Sequence, residues 1–142
     1  MHGKSYHIFV KTTANTDIVD ITPQVATRVK ESAVQEGSVT VFIPGSTAGV
    51  TTIEYESGVI GDLMRAIERM APEDLNYEHN KRWGDENGYA HVRAAMIGPS
   101  LSIPVVDGQL ILGTWQQIVL LDFDNMPRER DIVVQIAGYE IM

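Results

Sequence analysis

The 142-residue chain contains no cysteine. Disulfide staples, thiolate metal ligands and cysteine nucleophiles are excluded together. Long apolar runs are missing too: nothing approaches the ~20 consecutive apolar residues of a membrane-spanning helix. The opening segment MHGKSYHIFV lacks the extended apolar stretch of a secretory signal. These absences lead to the expectation of a soluble, cytoplasmic protein with no membrane partner. Positive charge is scarce, with 11 Lys+Arg against 19 Asp+Glu and a net charge of -8. Such a chain repels polyanions on average, so nucleic acid is not an expected partner. A local basic pocket for one small phosphate remains compatible with that balance.

What is present is globular composition, 44% hydrophobic and 21% charged, unlike the polar makeup of a disordered chain. The length suits a single domain over residues 1–142. YHIFVKT reads as a first strand and Ile18 to Ile21 as a short second one. Thr22 then offers an N-cap and Pro23 a first helical position, with Val25, Val29 and Ala33 every four residues before Gly37 closes the segment. SVTVFIP alternates strictly, and AGVTTIEYE follows it as a neighbouring strand through the small-residue turn PGST.

The clearest helix is SGVIGDLMRAIERMAP, whose Ile60, Leu63, Met64, Ile67 and Met70 form one apolar stripe behind Ser57 as cap. Residues 73–88 show no period and read as an ordered loop. A further short helix starts near Asn87 and ends at IGP, where Gly98 can turn left-handed. SLSIPVV, QLILG, WQQIVLLDFD and RDIVVQIAGYEI complete the chain as strands. Strands outnumber helices and tight turns join several of them. The expected fold is therefore α+β, mainly antiparallel sheet layers with two or three helices packed on them.

Side chains capable of chemistry concentrate in YEHNKRWGDENGYAH, which holds His79, Asp85, Asn87 and His91. A helix starting near Asp85 puts Asn87 and His91 four apart on one face, with Asp85 placed to cap the first turn. Imidazoles and a carboxylate are ligands for a borderline divalent ion. The spacing matches no established zinc motif, however, and serves equally well for a capped helix with exposed histidines. Arg128 and Arg130 are two apart, so on a strand they share a side and can grip a phosphate or carboxylate, or simply be solvated. Trp115 suits core or interface packing, and Gln116 beside it would need amide partners if buried. In PGSTAG, Ser46 and Thr47 can offer hydroxyls to an anion, although the ending of a nucleotide P-loop is missing and a structural turn is the simpler role. Glu54 can act as acid, base or ligand only if the fold brings it to His91.

The order STAGVTTIE, then YEHNKRWGDENGYAHVRAAMIGPSLSIPVVDGQLILGTWQQIVLLDFD, then PRERDIVVQIAG resembles the YjbQ-like family. Its members are often described as secondary thiamine-phosphate synthase proteins and otherwise as a family of uncertain function. The likeness covers essentially the whole chain and is strongest from Tyr77 to Gly138. It implies a compact α+β domain assembled as a homotrimer, with a zinc-like divalent metal at its histidines. It also implies a transferase that condenses a hydroxymethylpyrimidine diphosphate with a thiazole phosphate and releases diphosphate.

By that likeness His91, Glu54, Asn87 and Gln116 carry catalysis, Arg128, Arg130 and Thr114 join Ser46 and Thr47 in binding the phosphorylated substrate, and His79, His91 and Asp85 hold the metal. There are two departures: Gly45 stands where family members commonly have histidine, and Ile53 where they have asparagine. Loss of that imidazole keeps a second reading open, a non-catalytic trimer that binds a small anion or a metal.

Overall fold

The computed structural model describes residues 1–140, so Ile141, the expected last position of the final strand, lies outside the described residues. The strands are β1 (His2–Lys11), β2 (Asp17–Asp20), β3 (Glu36–Phe42), β4 (Ala48–Ile53), β5 (Ser100–Val106), β6 (Gln109–Leu110), β7 (Gln117–Asp122) and β8 (Glu129–Tyr139). The helices are α1 (Thr22–Ser32), α2 (Ser57–Met70), α3 (Glu78–Trp83) and α4 (Gly88–Ile97). Five strands form one sheet in the order β1-β8-β3-β5-β6, and three form another in the order β2-β7-β4. Every pairing is antiparallel. The architecture is the expected α+β arrangement.

Alternation explains the layers. Val39 and Val41 of β3, Ile103 and Val105 of β5, and Ile132, Val134 and Ile136 of β8 point from the large sheet into one core. Ala48 and Val50 of β4, Ile118 and Leu120 of β7, and Val25 and Val29 of α1 meet them from the other side. Val119, Leu121 and Phe123 face the opposite way and pack with Ile67 of α2 and Tyr89, Ala90 and Ala94 of α4. The central strand β7 is thus buried on both faces, which is why IVLLDF reads as a continuous apolar run rather than an alternating one. Each Val, Ile, Leu and Phe among them contributes about 1.5–3 kcal/mol by leaving water. The outer face of the large sheet, carrying Phe9, Thr40, Phe42 and Gln135, is exposed.

Several boundaries differ from the sequence reading. Ile21, not Thr22, is the N-cap of α1; the Thr22 hydroxyl instead accepts from the Ile118 amide at 2.8 Å and ties helix to sheet. Helix α1 stops at Ser32, because Ala33 is left-handed at φ 62, and Gly37 belongs to β3. Helix α2 is capped by Glu56 rather than Ser57: its carboxylate accepts from the Gly58 and Val59 amides, which holds its pKa below the ordinary value. Gly98 has φ 97 and ψ 156, an extended conformation open to glycine and not the left-handed helical one. Strand β4 ends at Ile53 and β7 begins at Gln117, while only Gln109–Leu110 of QLILG pairs. The expected loop contains α3, a helix too short to display a period. Four helices are therefore present among the described residues, where two or three were expected.

Candidate active site

The end of β7 determines the site. Alternation carries Ile118 and Leu120 toward the large sheet, and Asp122 follows on the same side, fully buried. A buried carboxylate needs partners, and β8 supplies one: Arg130 donates from Nε to Asp122 Oδ2 at 2.7 Å and from Nη2 to Oδ1 at 2.8 Å. Thr12 adds a donor at 2.6 Å. Burial pushes the Asp122 pKa up, but the Arg130 and Thr12 hydrogen bonds and the Asp124 amide outweigh it and hold the carboxyl below its ordinary range.

Asp124, also buried, accepts from the Thr47 hydroxyl at 3.0 Å, the Asn125 amide at 2.8 Å and Arg128 Nε at 3.0 Å. Burial raises its pKa as well, and those partners again bring it below the usual value. The two arginines do share a side, as their spacing requires, but neither guanidinium is unpaired. Thr47 is likewise engaged, donating to Asp124 while accepting from Arg130 Nη2 at 2.8 Å.

Helices α3 and α4 bring the histidines to the same end. The His79 and His91 ring centroids are 4.4 Å apart at 43°. Asp85 Oδ1 lies 3.4 Å from His79 Nδ1. Asp85 does not cap α4; its N-cap is Asn87, whose side chain caps nothing. The buried Asn87 amide instead lies between two carboxylates. In one orientation it donates to Asp124 Oδ1 at 3.4 Å, and in the other to Asp85 Oδ1 at 3.0 Å. An amide donates from one end only, and the shorter contact favours Asp85. His91, Ala94 and Ala95 recur along one face of α4 and, with Gly45, Ser46 and Pro99, line a cleft of about 360 Å³.

The remaining candidates lie elsewhere. Strand β4 runs away from the cleft, so Glu54 is separated from Ala48 by a strand length of roughly 17–20 Å. It is exposed there and does not meet His91. Gln116 is at that same far end and is exposed rather than buried, with its amide donating to Thr52 Oγ1 at 3.1 Å and accepting from the Gly113 amide at 3.0 Å. Thr114 is exposed in the turn beside it, and Trp115 is 71% exposed instead of packed in the chain's own core.

Among the described residues, no group of three or more His, Asp or Glu side chains is placed to hold a metal ion. Two imidazoles and Asp85 are close together without converging on one point. The residues present therefore do not fit a three-donor centre. Sequence reasoning missed Asp122 and Asp124, although DFD at the end of a buried strand and RER soon after it are matching two-residue spacings of opposite charge.

Two antiparallel sheets with α2 and α4 on the small one, and an aspartate–arginine lattice near paired histidines at the small sheet's end, define a class of small α+β proteins with a cleft at that end. The family described as UPF0047 protein YjbQ-like matches residues 6–139. The chain belongs to this family. It is 38% identical over 126 residues to a UPF0047 protein of Archaeoglobus fulgidus, covering 89% of this chain and 95% of the relative. To the UPF0047 protein YugU of Bacillus subtilis it is 33% identical over 131 residues, covering 91% and 96%. A crystal structure of a YbjQ-like protein of unknown function from Sulfolobus solfataricus superposes with a TM-score of 0.88 at 33% identity, covering 97% of this chain and 100% of that one. A hypothetical protein from Aeropyrum pernix gives 0.89 at 32% identity, covering 96% and 99%.

Proposed function

We propose that the chain is a cytoplasmic transferase of the thiamine-phosphate synthase kind, acting on a small phosphorylated substrate with His91 as its proton-transfer group. The observation that carries this reading is the His79–His91 ring pair, 4.4 Å apart and with Asp85 beside His79, in which His91 lines the cleft. Asp85 sets a carboxylate oxygen 3.4 Å from His79 Nδ1, and the His79 ring packs against His91 and holds it in place. In the reaction the carbon–oxygen bond to diphosphate breaks as the thiazole nitrogen forms a carbon–nitrogen bond. Diphosphate leaves with the electron pair, and His91 donates a proton to it. The arginines offset the developing negative charge. A divalent ion would add Lewis acidity if a neighbouring copy supplied the donor that the chain lacks.

A homotrimer belongs to this reading. Glu54, Thr114 and Gln116 act in the same site as His91 only if a second subunit brings its far end of β4 and β7 to the first subunit's cleft. Exposed Trp115, beside Gln116, and the bare sheet face with Phe9 and Phe42 are surfaces suited to such contacts. The test is an assay with the two thiamine precursors. His91→Ala abolishes turnover while the oligomer persists in sizing chromatography; unchanged turnover removes His91 from the mechanism.

A second reading, a non-catalytic trimer binding a small anion, is favoured by the pairing of both arginines with aspartates and by the absence of a side chain at Gly45. Metal content in untagged protein, together with the precursor assay, separates the two. About one divalent ion per chain that is lost in a His79→Ala/His91→Ala variant supports a metal-assisted enzyme. No ion and no turnover support the binding protein.

A further inference from the structure

Arg130 donates from Nε and Nη2 to Asp122 and from Nη2 to Thr47, and its Nη1 has no hydrogen-bond partner among the described residues. Nη1 lies beside Gly45: a Cβ built there would stand 3.3 Å from it, with no other neighbour within 4 Å. Gly45 has φ +132, a conformation that L side chains rarely adopt. The backbone at this turn therefore favours the residue that leaves the guanidinium uncovered. Exposed Ser46 follows it, and both line the cleft with His91.

We infer that Gly45 is the specificity-determining residue of a phosphate subsite in which Arg130 Nη1, the Ser46 hydroxyl and His91 take one terminal phosphate of the substrate. The bidentate grip of Asp122 neutralises much of the Arg130 charge, but it also fixes the direction of the remaining N–H groups, so little entropy is lost when an oxyanion meets them. A tetrahedral phosphate presents three free oxygens to three donors arriving from the turn, from β8 and from α4. A carboxylate carries its acceptor sites in one plane and cannot aim them at three donors that converge from different directions. The cleft, about 360 Å³, has the size of a small-molecule site. A side chain at position 45 would stand against Nη1 and exclude the phosphate from it. The subsite rests on the reading of the protein as one that acts on phosphorylated substrates, and it is tested without turnover.

The test is calorimetric titration of the full-length protein with inorganic phosphate, and with acetate as the competing anion class. The chain binds phosphate, and Gly45→Ala weakens binding by about tenfold or more, the loss expected for one charge-assisted hydrogen bond. Because alanine is strained at this φ, Ser46→Ala is measured beside it: the position is exposed, and its variant loses affinity by a few fold with an unchanged melting temperature. Equal phosphate affinity in the parent, Gly45→Ala and Ser46→Ala overturns the subsite. So does a parent that fails to bind phosphate, or one that binds acetate as tightly. Phosphate binding that follows this pattern in a protein with no turnover of the thiamine precursors leaves the subsite standing and removes the proposed reaction; turnover with unaltered phosphate affinity in both variants does the reverse.

Discussion

Asp122 and Arg130 form a two-point fork, 2.7 Å and 2.8 Å, in which the carboxylate is fully buried and the arginine side chain is 11% exposed. It joins the two sheets at the cleft end, since Asp122 closes β7 and Arg130 opens β8. Removing the carboxylate leaves a largely buried guanidinium with only the Thr47 hydroxyl at 2.8 Å and the more distant Asp124 carboxylate at 4.0 Å to satisfy it. Asp122→Ala is expected to destabilise the fold by about 3–5 kcal/mol, read from the urea unfolding midpoint at constant slope. A change below 1 kcal/mol would show that water enters and solvates Arg130.

The same carboxylates predict acid sensitivity with a definite sign. Asp122 and Asp124 both titrate below the ordinary range in the folded chain. The unfolded chain therefore takes up their protons at higher pH than the folded chain does. The stability they contribute is complete above about pH 5 and is lost as pH falls below the ordinary carboxylate value of about 4. Unfolding midpoints measured from pH 6 to pH 2.5 should drop steeply at the acid end, and the Asp122→Asn variant should show a shallower fall. Parallel curves for the two proteins would remove Asp122 as a source of the effect.

The layers of this fold were legible in the sequence because alternation and helical stripes report burial directly: SVTVFIP and the Ile60–Met70 stripe needed no tertiary information. Helix α3 was not, since six residues cannot show a period and its contact with α4 is a tertiary one. Caps failed for a related reason. Glu56 and Ser57 both have capping oxygens, and the turn geometry alone selects Glu56. At the site, the shared side of Arg128 and Arg130 followed from spacing, whereas their aspartate partners lay within a run that reads as core. The separation of Glu54 and Gln116 from His91 was invisible because motif order carries no information about which end of a strand a residue occupies.

Gly37 and Gly138 are paired across β3 and β8. A Cβ on Gly37 would collide with the Ala137 carbonyl and come within 2.7 Å of the Gly138 Cα, while one on Gly138 would meet Val34 Cγ1 at 2.7 Å. Backbone cannot move aside as a side-chain end can. Gly37→Ala is expected to cost about 1–3 kcal/mol through overpacking, measured by chemical denaturation. A neutral substitution would mean that the two strands separate without penalty, and amide exchange along β8 would then be faster than in the parent.

Gly88 offers a way to disturb the histidine pair without touching either ring. It begins α4, its amide donates to Asn80 Oδ1 at 2.9 Å, and a Cβ there would stand 2.7 Å from the Tyr77 Cβ. Tyr77 is the N-cap of α3 and Asn80 lies within that helix. An alanine therefore forces α3 away from α4, carrying His79 from His91. The displacement needed is on the order of 1 Å, enough to reduce turnover by roughly a hundredfold where a catalytic pair must stay aligned. Tyr89, Ala90 and Ala94 keep α4 anchored in the core beneath, so the sheets should be little affected. Turnover of the thiamine precursors and the thermal midpoint, measured on the same Gly88→Ala sample, separate the two effects. Lost activity with a nearly unchanged midpoint supports the histidine apposition as the working part of the site. Full activity after such a displacement would show that His91 works alone, with His79 a packing neighbour.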